Sequence, residues 1–91
     1  MKRLTIKIHG DVQGVYFRES AVETAKELGL VGWVRNDKDG CVSVVVEGEE
    51  GKLLELLNYC NEGPKMSVVD SVEEKWDFVK SLSFNNFEIK Y

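Results

Sequence analysis

An α+β sandwich, with two helices laid on one face of a mainly antiparallel sheet, is the fold class this sequence predicts. Three observations carry the prediction. Apolar and polar residues alternate through residues 3–9, 41–47 and 87–91, the period of strands buried on one side. Two other stretches, 17–29 and 49–63, space their apolar residues three and four apart and end at glycine, as amphipathic helices do. The patterns follow one another as strand, helix, strand, hairpin, strand, helix, strand, with one further strand at the C-terminus. Right-handed crossovers then make the arrangement βαββαβ, a split-βαβ, ferredoxin-like sandwich.

Each element has a local reason. In residues 3–9, Leu4, Ile6 and Ile8 share one face, while Thr5, Lys7 and His9 share the other. His9 is accordingly expected to be a solvated strand end. Phe17, Ala21, Ala25 and Leu28 line one side of the first helix, with Val22 beside them, and Glu19, Glu23, Lys26 and Glu27 lie outside. Gly29 is placed to end that helix. Leu30 to Arg35 reads as the second strand, and Asp37-Lys38-Asp39-Gly40 as a tight hairpin turn. In the third strand, Cys41 to Glu47, the residues Val42, Val44 and Val46 face one way and Cys41, Ser43, Val45 and Glu47 the other. Glu49 and Glu50 open the second helix, where the dipole favours acids. Leu53, Leu56, Leu57 and Cys60 form its inner stripe, and Gly63-Pro64 stops it. Cys60 thus belongs to the core layer and Cys41 to the opposite sheet face, too far apart in direction for a disulfide. A fourth strand lies within Val68–Trp76, residues 77–83 form a connection of undefined shape, and Phe87, Ile89 and Tyr91 alternate in a short last strand. Trp33 and Trp76 are expected to be packing residues.

Ninety-one residues are read as one domain, 1–91, able to bury roughly 60–65% of its unfolded surface. With 31% charged and 43% apolar residues the composition is that of a water-soluble globule. No apolar run approaches the ~20 residues of a membrane span, and an alternating strand stands where the apolar core of a signal peptide would be. A cytoplasmic monomer is expected. The net charge of −4 argues against a nucleic-acid partner, which would need a basic stripe. Two cysteines and one histidine do not provide an ordinary zinc site. No metal or cofactor is expected.

The chemistry-bearing stretch is the junction Gly10-Asp11-Val12-Gln13-Gly14-Val15-Tyr16-Phe17-Arg18, between the first strand and the first helix. A glycine-bearing turn before a helix leaves main-chain N–H groups unpartnered and pointing together, which suits a phosphate. Arg18 lies in the first helical turn, where the macrodipole disfavours a cation by up to about 1 kcal/mol. A bound anion would remove that conflict; an ordinary turn with a solvated arginine is the alternative. Strands 1 and 2 run the same way with strand 3 between them. The loop with Arg18 and the residue ending strand 2, Asn36, therefore emerge at the same end of the sheet. Asparagine is also common at hairpin starts.

Two motifs carry a family resemblance. Gly10-x-Val12-Gln13-Gly14-Val15-x-Phe17-Arg18 is followed by Ala25-x-x-Leu28-Gly29-Leu30-x-Gly32-Trp33-Val34-x-Asn36-x-x-Asp39-Gly40-x-Val42. The sequence resembles the acylphosphatases in both motifs and in their spacing. The likeness extends more weakly to Gly63-Pro64 and to Phe87-x-Ile89-x-Tyr91. One departure is Lys65-Met66-Ser67-Val68, where the family usually has an arginine-valine pair. The resemblance implies hydrolysis of acyl phosphates without metal or covalent intermediate. Arg18 would bind the phosphate, Asn36 would orient the attacking water, and the backbone of Val12, Gln13, Gly14, Val15 and Tyr16 would cradle the phosphoryl group. Gln13 is expected to be structural, its side chain bonding loop backbone.

The absence of a Ser-His-Asp set or a carboxylate pair agrees with that chemistry. An acyl phosphate expels a carboxylate, which needs no general acid at neutral pH, and phosphoryl transfer depends chiefly on positioning and charge stabilisation. A non-catalytic phosphate-binding or regulatory module of the same fold is the alternative, since fold alone does not fix function. Such a binder would have no need of Asn36. A domain of a larger carbamoyl-transfer enzyme is a further alternative, with the free-standing form expected.

Overall fold

The computed structural model describes residues 1–91. Its elements are β1 (Lys2–Asp11), α1 (Phe17–Glu27), β2 (Val31–Asn36), β3 (Val42–Gly48), α2 (Glu50–Glu62), β4 (Val68–Phe78) and β5 (Phe87–Ile89). The strands lie in the order β4-β1-β3-β2-β5, and every pair is antiparallel except β2 with β5. This is the expected ferredoxin-like sandwich with its added strand at the β2 edge. The expected boundaries hold to within a few residues; β1 and β4 run longer than the alternation alone marks.

The alternation sets the core. Leu4, Ile6 and Ile8 of β1 and Val42, Val44 and Val46 of β3 have no exposed surface. They pack against Phe17, Ala21 and Ala25 of α1 and Leu53, Leu56, Leu57 and Cys60 of α2. The register pairs Ile6 with Val44 and Val34 with Val44, so one apolar stripe crosses three strands beneath both helices. Burial alone pushes the Cys60 thiol up to about 12, leaving it an inert core side chain. Both cysteines are free.

The opposite sheet face is partly covered. Glu47 is fully buried there. Its carboxylate accepts from Arg3 Nε at 2.7 Å and from the Ser83 backbone N–H at 2.6 Å. Burial opposes its charge, but these donors outweigh burial and hold the group below the usual carboxylate range. The connection 79–86 runs from β4 to β5 across the end of the sheet remote from the glycine loop. The Val79 N–H donates to Met1 O, and the Gly32 N–H donates to Asn86 O. His9 corrects the expectation of a solvated strand end. It is only partly exposed, and its ring bonds to both Glu73 and Cys41.

Gly10 has a backbone reason to be glycine. Its φ is +134°, at a register shift between β1 and β4, and a Cβ there would stand 2.1 Å from Val68 O. The irregularity turns the chain out of β1 and into the loop that follows.

Candidate active site

The sheet brings together the residues that chemistry singled out. Because β1 and β2 are parallel neighbours-but-one, the loop after β1 and the end of β2 share one end of the molecule. There Val12, Gly14, Tyr16, Phe17, Arg18, Glu19 and Asn36 line a cleft of about 230 Å³.

The loop is built to present donors. Gly14 has φ +74° and Tyr16, the α1 N-cap, has φ 68°, both left-handed. For tyrosine that conformation costs of order 1–3 kcal/mol and persists only where the surroundings impose it. No side chain caps the helix. The Ser20 N–H donates to Tyr16 O, whereas none of the N–H groups from Val12 to Arg18 donates to a backbone carbonyl. Arg18 is half-buried and forms no ion pair. Its guanidinium lies 5.5 Å from the centre of the Tyr91 ring. Free amides, a helix N-terminus and an unneutralised guanidinium thus face one small cleft, an arrangement that favours a tetrahedral anion.

Asn36 ends β2 on the same face as Val34, toward the helices. Its Oδ1 is buried and has no hydrogen-bond partner. A stranded buried acceptor costs about 1–3 kcal/mol, so this oxygen is poised for a donor that enters the cleft.

Gln13 has a separate place. Its Nε2 donates to Asp37 O at 2.7 Å and to Cys41 O at 2.9 Å. The side chain therefore ties the loop to the hairpin that follows Asn36, in keeping with its expected structural role. Val15 packs against the core and does not line the cleft. Of the five expected cradle residues, Val12, Gly14 and Tyr16 line it. Sequence reasoning missed two lining residues, Phe17 and Glu19. Their positions next to Arg18 in the first helical turn were the available signal.

Comparison with known proteins shows the family. The acylphosphatase family model matches residues 4–89, which is nearly the whole chain. The chain belongs to the acylphosphatase family. An acylphosphatase of Rubrobacter xylanophilus is 50% identical over 72 residues, covering 79% of this chain and 66% of that one. Among solved structures, the Bacillus subtilis acylphosphatase superposes with a TM-score of 0.93 at 33% identity, over the full length of both chains. A full-length HypF, solved in a phosphate- and nucleotide-bound form, matches with a TM-score of 0.88 at 32% identity. That match covers 99% of this chain and 12% of HypF. The acylphosphatases are hydrolases, and this chain is one by family.

Proposed function

We propose that this protein hydrolyses acyl phosphates by direct in-line attack of water on the phosphoryl group, with Arg18 holding the phosphate and Asn36 holding the water. The observation that carries the reading is the buried, unpartnered Oδ1 of Asn36 in the same cleft as Arg18 and the loop amides.

Arg18 presents a planar fork that can take two phosphoryl oxygens together, and the amides from Val12 to Tyr16 take the remaining charge. That set stabilises the spread charge of a loose phosphoryl-transfer state. An amide is too weak a base to deprotonate water. It accepts one hydrogen bond through Oδ1 and donates through Nδ2, which fixes a water's direction of approach. The water's proton passes to a phosphoryl oxygen, and the leaving carboxylate departs without a proton. The substrate is a small-molecule acyl phosphate.

The test is hydrolysis of benzoyl phosphate in the presence of a chelator, with Arg18→Lys beside the native chain. Lysine keeps the charge and loses the fork. The expected outcome is native turnover and a loss of about 100–1000-fold in the folded variant. Phosphate binding without turnover by the native chain would replace this reading with that of a binding module.

A further inference from the structure

On the sheet face turned away from the helices, three side chains from three adjacent segments meet in a line. Cys41, at the entry to β3, has its Sγ 3.2 Å from Nδ1 of His9 on β1. The other ring nitrogen, Nε2, is 2.5 Å from a carboxylate oxygen of Glu73 on β4. With the imidazole proton on Nε2 and donated to Glu73, Nδ1 is free to accept the thiol proton. Nucleophile, base and orienting acid thus stand in hydrogen-bond sequence, the arrangement that activates thiols. The acyl phosphate reading makes no use of any of the three.

We infer that Cys41, His9 and Glu73 form a thiol-modification site that takes small disulfides by thiol–disulfide exchange. A contrast between the two cysteines supports it. Cys41 retains 6% exposure and lies beside the partly exposed His9, whereas Cys60 has none and touches no base. The charged groups around the sulfur are Lys7 on β1 and Asp37 and Asp39 in the hairpin, with Glu73 on β4 beyond the far side of the His9 ring. Burial, Asp39 and Asp37 raise the Cys41 thiol above its ordinary range while Lys7 opposes them. The sulfur is therefore protonated at neutral pH and depends on a neighbouring base to react. His9 is the base in contact with it.

The step balances with the small disulfide as the oxidant. His9 Nδ1 takes the thiol proton as Sγ attacks one sulfur of the disulfide. The S–S bond breaks, Cys41 becomes a mixed disulfide, and the departing thiolate takes the proton back from His9. The Cys41 sulfur is oxidised and the departing sulfur reduced.

The experiment treats the native chain at pH 7 with 4,4′-dithiodipyridine, a small neutral disulfide, and follows thiopyridone release and intact mass. One equivalent is expected, mapped to Cys41, with Cys60 unreacted. His9→Asn, which keeps a hydrogen bond but is no base, is expected to react at least about tenfold more slowly at pH 7. That gap should close as the pH is raised through the thiol's own ionisation. Glu73→Gln, at an exposed carboxylate, carries the same comparison if His9→Asn is not folded, with an expected slowing of a few-fold. Modification of Cys60 as fast as Cys41, or base variants that react at the native rate at pH 7, would overturn the site.

Discussion

Gln13 links the loop between β1 and α1 to the hairpin that follows Asn36, and its replacement by leucine tests that link. Two amide hydrogen bonds are lost, to Asp37 O and Cys41 O. Neither carbonyl is stranded, because the Gly40 N–H donates to Asp37 O and the Asp37 N–H donates to Cys41 O. The loss is therefore the net worth of two part-buried bonds, about 0.5–1.5 kcal/mol each, without a desolvation penalty. A total near 2 kcal/mol corresponds to a fall in Tm of roughly 8–16 °C for a domain of this size. Activity is expected to fall further than stability implies, because displacement of the loop by about 1 Å relative to Asn36 can cost ~100-fold. Gln13→Glu should be worse than Gln13→Leu, since it sets carboxylate oxygens against two carbonyl oxygens. The assays are thermal melts by circular dichroism and benzoyl phosphate turnover well below the melting transition. A Gln13→Leu protein with native Tm and native turnover would refute the clamp.

Two further outcomes concern the acids Asp39 and Glu47 and the ring of Tyr91. Asp39 is held down to about 2, first by its hydrogen bond with Lys7 and then by the Cys41 N–H, and Glu47 is also lowered, so both are more acidic folded than unfolded. Their stabilisation is complete above about pH 5 and is lost as the pH falls from there toward 2. The Tm difference between native and Asp39→Asn proteins should therefore shrink between pH 6 and pH 2.5; a constant difference would contradict it. The second outcome concerns Tyr91, whose ring lies beside the Arg18 guanidinium. Tyr91→Ala removes a contact worth about 0.5–1 kcal/mol at an exposed site and should weaken phosphate binding two- to fivefold by calorimetry. Unchanged affinity would show that the ring does not restrain Arg18.

Most of the fold was legible because local patterns and topology agreed. The alternation of Leu4, Ile6 and Ile8 and of Val42, Val44 and Val46 specified which sheet face the helices cover, and the parallel run of β1 and β2 placed Arg18 and Asn36 at one end. What the sequence hid was non-local. The burial of Glu47 depends on Ser83, 36 residues later, whose backbone N–H reaches back to it. No period in residues 77–86 announces that contact. His9 has the alternation of a solvated residue, and only the pairing of β1 with β4 and β3 brings Glu73 and Cys41 to its ring. The edge taken by β5 was likewise undetermined, since three alternating residues can add to either side of a sheet. In the site, the loop glycines and Arg18 were readable from position. The stranded Asn36 Oδ1 was not, because it depends on what the folded chain leaves unpaired.

The proposed mechanism separates two roles, phosphate held by Arg18 and water held by Asn36. The measurement that addresses it most directly is kcat for benzoyl phosphate and Kd for inorganic phosphate, taken side by side on Asn36→Ala. The account predicts a fall in kcat of about 100–1000-fold with Kd within about twofold of native. A parallel loss of phosphate affinity, or native kcat in the variant, would contradict the assignment of the water to Asn36.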